Sequence, residues 1–207
     1  PSPVTALGVY MGMKAAAKHQ FGSDSLAGKK IAVQGIGHVG AYLVEHLVAE
    51  GARVTITDIN EAALQQLSAK HGVSVVAADN IYDVDMDIYA PCALGATVND
   101  ATLARLNCSI IAGAANNQLK EEAKHGQILM DRGIIYAPDF ALNAGGVINC
   151  FSEVEGLSLE WAKQKAQEIY TTIDHILIRS QKEGVPSYQV ANLMAEERIR
   201  TKGSLNI

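Results

Sequence analysis

Six residues, Gly35-Ile36-Gly37-His38-Val39-Gly40, follow the apolar run Ile31-Ala32-Val33 and lead directly into a helical pattern through Ala41, Leu43, Val44, Leu47 and Val48. A strand that breaks at glycines and restarts as a helix leaves backbone N–H groups unpaired, and the helix dipole adds roughly half a positive charge there. That combination suits a phosphate. In this spacing Gly35 permits a tight turn, Gly37 lets the backbone approach a pyrophosphate, and Gly40 lets the helix pack closely on its strand. The next strand signal, Arg53-Val54-Thr55-Ile56-Thr57, ends in Asp58. An acid about 20 residues beyond the glycines is placed to accept from adenosine ribose hydroxyls. The glycines alone would also serve as a turn in another α/β protein; with Asp58 they point to a dinucleotide. A carboxylate there repels a 2′-phosphate, so the pattern calls for NAD rather than NADP.

The elements needed to position these residues are legible around them. Ser2-Pro3 reads as an N-cap and first turn, and Leu7, Val9, Tyr10, Met13 and Ala17 recur at helical spacing until Gly22. After the second strand, Asn60 caps a helix to His71, and Val73–Ala77 is a short third strand. This β-α-β-α-β order is the mononucleotide-binding half of a doubly wound sheet. Further strands are expected at Met86–Ala90, Ser109–Ala112 and Ile134–Ala137. Helices are expected from Asn99 to Leu106 and around Gln127 to Arg132. Beyond Gly145 the strand signal stops, and helices are expected at 145–155, 159–183 and 187–200. The class is therefore α/β: a doubly wound, mostly parallel sheet of the Rossmann type with a helical C-terminal extension.

Composition narrows the function classes. Hydrophobic residues make up 48 % and charged residues 19 %, which fits a protein with a real core, and the net charge of −5 offers no basic footprint for nucleic acid or anionic lipid. No apolar run approaches a membrane span, and no signal peptide is visible. The three cysteines, Cys92, Cys108 and Cys150, lack C-x-x-C spacing, so reduced thiols in a cytoplasmic protein are the simplest reading. His71 and His125 read as exposed helix-end residues, and no His/Cys/Asp grouping suggests a metal. The opening Pro1-Ser2-Pro3-Val4-Thr5 reads as the interior of a longer protein, with processing as the other explanation.

In an open α/β sheet, ligands bind beyond the carboxyl ends of the strands. The loops after the fourth, fifth and sixth strands read Ala90-Pro91-Cys92-Ala93-Leu94-Gly95, Gly113-Ala114-Ala115-Asn116-Asn117-Gln118 and Pro138-Asp139-Phe140-Ala141-Leu142-Asn143-Ala144-Gly145-Gly146-Val147. Small residues leave room for a flat ring, and amides hydrogen-bond a ribose or carboxamide without bringing charge. Asn117 and Asn143 are the candidate contacts; satisfaction of local loop backbone is the competing role for each.

The A-P-C-A segment, A-N-N-Q-L, Y-A-P-D with N-A-G-G-V-I-N, and Gly184-Val185-Pro186-Ser187-Tyr188 resemble the glutamate/leucine/phenylalanine/valine dehydrogenases, and within them the leucine dehydrogenases. The resemblance runs over nearly the whole chain and covers only that family's C-terminal, cofactor-binding half. It implies an inter-domain helix at 1–22, an NAD-binding domain at 23–150 and C-terminal helices at 151–207 that pack back on it. It implies that Gly35, Ile36, Gly37, His38, Val39, Gly40 and Ala41 hold the pyrophosphate, His38 standing where relatives often carry Asn. Asp58 would take the adenosine ribose, and Ala90, Cys92 and Ala93 the nicotinamide-side ribose. Asn117 would lie beside nicotinamide and substrate, Asn143 would orient the carboxamide, and Val147 and Cys150 would line the substrate side-chain pocket.

The implied activity is oxidative deamination of a branched-chain L-amino acid to a 2-oxo acid, ammonium and NADH, in a parent protein that is a homo-oligomer. A phenylalanine or valine enzyme is the nearest alternative, and a non-catalytic NAD-binding module another. The family's catalytic lysine lies in a glycine-rich segment that this chain does not contain. Lys14, Lys18, Lys29 and Lys30 read as solvated surface residues, so no catalytic acid or base is assigned and the chain alone is expected to be inactive.

Overall fold

The alternating strand and helix signals resolve into a single sheet in the computed structural model, which describes residues 1–203. Helix α1 (Ser2–Phe21) precedes strand β1 (Lys30–Gln34), helix α2 (His38–Ala49), strand β2 (Arg53–Thr57), helix α3 (Glu61–His71) and strand β3 (Ser74–Val75). A 3-10 segment (Ala78–Asp83) leads to β4 (Ile88–Pro91), α4 (Asp100–Leu103), β5 (Ile110–Ile111), α5 (Glu122–Asp131) and β6 (Ile135–Tyr136). Then come α6 (Asp139–Leu142), α7 (Gly145–Val154), α8 (Leu159–Gln167), α9 (Ile169–Glu183) and α10 (Ser187–Gly203). The strands lie in the order β3-β2-β1-β4-β5-β6, and every pairing is parallel. The sheet is thus doubly wound and wholly parallel, with its reversal of order between β1 and β4.

Both faces of the sheet are covered at its centre, which is why Ile31-Ala32-Val33, Ile88-Tyr89-Ala90 and Ile110-Ile111 read as continuous apolar runs rather than as alternation. Ile31 and Val33 point with Ile56, Ile88, Ala90 and Ile110 into a core shared with α1, α2, α3 and α9. Ala32, Tyr89, Ile111 and Tyr136 face the other way, onto the 3-10 segment, α4 and α5. A large aliphatic side chain buried as fully as Ile31 or Ile56 contributes about 1.5–3 kcal/mol relative to an exposed one.

Several boundaries differ from the sequence reading. Ser2 is not a cap: the helix already includes it, Pro1 holds the N-cap position, and no side chain caps the turn. The helix expected over 159–183 is two helices. Its chain turns at Glu168, whose N–H reaches back only to Lys165, a 3-10-type bond. The break lets α8 bury Ala162 and Ala166 against Val4 while α9 turns Ile169, Ile173 and Ile176 into the main core. The 3-10 segment and α6 were not legible as elements, because neither is long enough to show a period.

Helix α1 is apolar on most sides and packs against α2, α7, α8 and α9, as a buried helix must. Its polar anchor is Lys14, which is no solvated surface residue. Lys14 Nζ lies 2.7 Å from Glu50 Oε1, with the two side chains 17 % and 16 % exposed. The same carboxylate accepts from the Tyr10 hydroxyl and, at 3.0 Å, from the Leu26 N–H. Burial works to raise the Glu50 carboxyl, but hydrogen bonds from Lys14, Tyr10 and Leu26 outweigh it and hold it below the usual carboxylate range.

Glu50→Gln should therefore destabilise the fold by about 1.5–3 kcal/mol at neutral pH, the usual worth of hydrogen bonds to a charged group. A carboxyl depressed in the folded state adds stability above its unfolded value of about 4.3 and loses it as pH falls through the folded value. The melting-temperature gap between wild type and variant should accordingly close on acidification below about pH 4. Thermal unfolding of both proteins across the acid range checks this; a gap independent of pH would remove Glu50 from that role.

Candidate functional site

Because all strands run the same way, the loops after β1, β2, β4, β5 and β6 open on one edge of the sheet, and β1 and β4 part there to form a crevice. Gly35 follows β1 with φ +96°, in the region that favours glycine, and a Cβ there would lie 2.7 Å from Ala93 N. At Gly40 a Cβ would stand 2.1 Å from Gly35 O, so helix α2 starts against the turn that precedes it. Gly37 differs: it is exposed, and a Cβ there meets nothing within 4 Å. Two of these glycines close the turn, and the third leaves its outer face open.

Gly37 is also the N-cap of α2 and supplies no side-chain cap. The first helical bond is Ala41 N–H to Gly37 O, which leaves the N–H groups of His38, Val39 and Gly40 without an intrahelical acceptor. His38 is exposed on the first turn. The Ile36 N–H is not available to a ligand, because it donates to Asp58 Oδ2 at 2.7 Å, and Ile36 itself is buried. Asp58 Oδ1 accepts from Asn60 N–H at 2.9 Å. A carboxylate has about four acceptor sites, so Asp58 is aimed by the glycine turn and keeps capacity for further donors. Ile59 beside it is 95 % exposed and, with Asp58 and the 75–78 segment, lines an open depression of about 870 Å3. In the sequence the signal for it is an apolar residue directly after the strand-end acid.

Across the crevice, Ala90 is fully buried within β4 and presents no side chain to the crevice, whereas Ala93 is exposed. Cys92 braces the turn, its Cβ 3.5 Å from where a Gly40 methyl would stand. Burial pushes its thiol up to about 12, so it stays protonated at neutral pH and is no nucleophile. The loops after β4 and β5 are zipped together by Ala96 N–H to Asn117 O and Val98 N–H to Gln118 O. Ala96 and Asn117 both adopt positive φ, +58° and +53°. Buried Gln118 donates to Gly113 O and Ala115 O, and its own N–H donates to Asp139 Oδ2 at 2.9 Å, tying the β5 and β6 loops. On that base Asn143 Nδ2 donates to Ala114 O at 3.2 Å and to Asn116 Oδ1 at 2.6 Å. Asn117 is exposed at the same edge. Asn116 was not singled out from sequence; its partner is 27 residues away in a different loop.

Val147 is 75 % exposed and Cys150 is also exposed; Phe151 and Val154 extend them as an outward apolar stripe on α7. Val147 and Phe151 also line an apolar groove of about 620 Å3 together with Trp161, Met194 and Ile199. Cys150 does not line it. The four lysines expected to be solvated each have a partner: Lys14 pairs with Glu50, Lys18 with Asp174, Lys30 with Asp85, and Lys29 lies over the Phe21 ring. Lys70, paired with Glu45 at 2.7 Å, lines a depression together with Gly37 and His38.

Two histidine expectations need correction. His71 is not exposed: its side chain is 17 % accessible, with Nε2 3.7 Å from Glu45. His125 is fully buried, and it joins Asp100 and Glu121 in a group whose ligand atoms lie within 4.8 Å of one another. The distances would admit a metal, but the tautomer opposes it. His125 Nδ1 accepts from the Glu121 backbone N–H at 2.9 Å, so the neutral ring carries its proton on Nε2, the atom turned to Asp100. Lys124 already neutralises Asp100 at 2.6 Å and holds that carboxyl below its usual range. The group reads as a tie between α4 and α5. Among the described residues no helix is long and apolar enough to cross a membrane.

Comparison with known proteins bears on this arrangement. The family model described as glutamate/leucine/phenylalanine/valine dehydrogenase matches residues 2–63 and 55–203. A leucine dehydrogenase of Bacillus cereus is 54 % identical over 199 residues, which are 96 % of this chain and 54 % of that protein. The crystal structure of L-tryptophan dehydrogenase from Nostoc punctiforme superposes with a TM-score of 0.94 at 41 % identity, over 97 % of this chain and 61 % of that one. A hetero-hexameric glutamate dehydrogenase from Thermus thermophilus, at 20 % identity and a TM-score of 0.75 over 96 % of this chain and 52 % of its own, shares the fold. The chain spans about half the length of the curated relatives it matches.

The glycine geometry separates folding from ligand approach. Gly40→Ala forces a methyl into the Gly35 carbonyl and should cost stability of the order of 1–3 kcal/mol, as overpacking does. Gly37→Ala, with open space and φ −62°, should unfold within about 0.5 kcal/mol of wild type, as a surface substitution does. Urea denaturation of both variants decides; equal losses would mean that the two glycines share one role.

Proposed function

Because the chain belongs to the glutamate/leucine/phenylalanine/valine dehydrogenase family, we propose that it is the NAD-binding part of an amino-acid dehydrogenase resembling leucine dehydrogenase. In this reading residues 1–22 form the inter-domain helix, 23–150 the cofactor domain and 151–207 the returning helices, of which 204–207 lie outside the described residues. The parent protein converts a branched-chain L-amino acid to its 2-oxo acid and ammonium, and works as an oligomer.

The observation that carries the reading is the uncapped amino end of α2 beside a carboxylate held by the same turn. The free N–H groups of His38, Val39 and Gly40 fit a pyrophosphate, and the open face of Gly37 lets it approach the backbone. Asp58 would accept from the ribose hydroxyls, and its negative charge disfavours a 2′-phosphate, hence NAD over NADP. The exposed Ile59 offers an apolar face to the adenine end. Ala93, Asn117 and Asn143 form the far wall, where amides can orient a carboxamide without adding charge. When bound, NAD supplies the acceptor for the hydride leaving the amino-acid α-carbon. This chain's part is to fix the acceptor's position and exclude alternatives, which is the positioning share of catalysis. Val147 and Cys150 would present a small, apolar wall to the substrate side chain. The acid–base groups for imine formation and hydrolysis belong to the rest of the parent protein, since every lysine near α1 and β1 is already paired or stacked.

Calorimetric titration should show NAD binding by this chain with no leucine-dependent NADH formation; turnover would assign catalysis to a residue within it. Gly37→Val should abolish NAD binding, and normal binding would overturn the glycine assignment. Asp58→Ser should weaken NAD by roughly tenfold, the worth of one charge-assisted hydrogen bond, and strengthen NADP. An unchanged NAD/NADP ratio would remove Asp58 from the ribose.

A further inference from the structure

The hydrogen bonds of Asn143 leave its amide no choice of orientation. One neighbour, Ala114 O at 3.2 Å, is a backbone carbonyl and can only accept, so the atom facing it is Nδ2. The second hydrogen of that Nδ2 goes to Asn116 Oδ1 at 2.6 Å. Both donors of Asn143 are therefore spent, and its Oδ1 takes no hydrogen bond from the protein among the described residues. Burial does not require the Asn116 bond. Asn116 is exposed and Asn143 half-buried, and water would satisfy either amide. What the bond does is orient. With Ala114 O alone, Asn143 could donate one hydrogen and turn; with Asn116 as well, the two acceptors fix the plane of the amide.

Asn116 is itself held for this purpose. A Cβ at Gly95 would lie 2.7 Å from Asn116 O and 2.9 Å from Asn117 O, so the β4 loop presses against this backbone. Asn117, at φ +53°, turns the chain immediately after it. We propose that Asn116 is a positioning residue that locks Asn143 with its carbonyl outward, as an acceptor for the –NH2 of a carboxamide at the nicotinamide end of the bound dinucleotide. The inference rests on the dinucleotide reading above and adds a polarity to it: the crevice selects a ligand that donates at this point, and a carboxamide carbonyl is not the group it meets.

Three probes separate the ends of the ligand: NAD, ADP-ribose, which has no pyridine ring, and 3-acetylpyridine adenine dinucleotide, whose acetyl group cannot donate. Calorimetry on the wild-type chain should show NAD binding tighter than the acetylpyridine analogue by roughly fivefold, the worth of one neutral hydrogen bond. Asn116→Leu should bring that ratio close to one and leave ADP-ribose affinity unchanged. Asn116→Asp keeps an acceptor facing Asn143 Nδ2 and should preserve the discrimination, which a merely structural role would not predict. Equal NAD and analogue affinities in the wild type, or the same ratio in Asn116→Leu, would overturn the assignment while ADP-ribose binding left the dinucleotide reading standing. Loss of ADP-ribose affinity in Asn116→Leu would overturn it too, as damage to the whole loop. A wild-type chain that binds none of the three probes would overturn both readings together.

Discussion

At the parting of β1 and β4, main chain touches main chain with no room for a side chain between, and the geometry of the whole ligand edge follows from that contact. Gly35 presses on Ala93, α2 starts against the Gly35 carbonyl, and one strand further on a Cβ at Gly113 would stand 2.2 Å from Pro91 O. Backbone contacts this close convert three loops into one rigid rim. Side chains cannot relax there, so the N–H groups at the start of α2 and the Asp58 carboxylate keep fixed directions relative to each other. Preorganised dipoles of this kind do not have to reorient when an anion arrives.

Around that rim the polar groups divide into those used up by the protein and those left over. Ile36 N–H is consumed by Asp58, both Asn143 donors by Ala114 and Asn116, and both Gln118 Nε2 donors by two loop carbonyls. What remains is a set of N–H donors at one end of the crevice, carboxylate acceptor sites beside them, and an amide carbonyl at the other. A long ligand with an anionic middle and polar ends matches that order.

The helical layers differ in how far their apolar faces are covered. Helix α1 packs against α2, α6, α7, α8 and α9 and is tied by Lys14 and Glu50, so the amino-terminal segment belongs physically to the same core as the sheet. Helix α7 instead turns Val147, Phe151 and Val154 outward, next to an apolar groove. Buried faces and exposed faces of similar composition coexist in one chain that spans about half the length of its relatives.

The sequence by itself determined the alternation of strands and helices, the glycine turn and the acid at the next strand end, because each is a local pattern. Period, cap and turn chemistry are properties of neighbouring residues. Asn60 and Asn99 cap the helices expected of them. Only the tertiary structure decided which polar groups are spent and which are offered. His125 looked like a surface histidine and is fully buried, its ring oriented by a backbone N–H of its own helix start. Lys14 looked solvated and holds Glu50 from another helix, 36 residues away. Ala90 ends a strand as expected, but its side chain proves to be core rather than a crevice contact, while Asn116, unremarked in the chain, pairs with Asn143 across 27 residues. These outcomes depend on which loops the parallel sheet brings to one edge, and contact between residues so far apart in sequence leaves no periodic trace in the residues themselves.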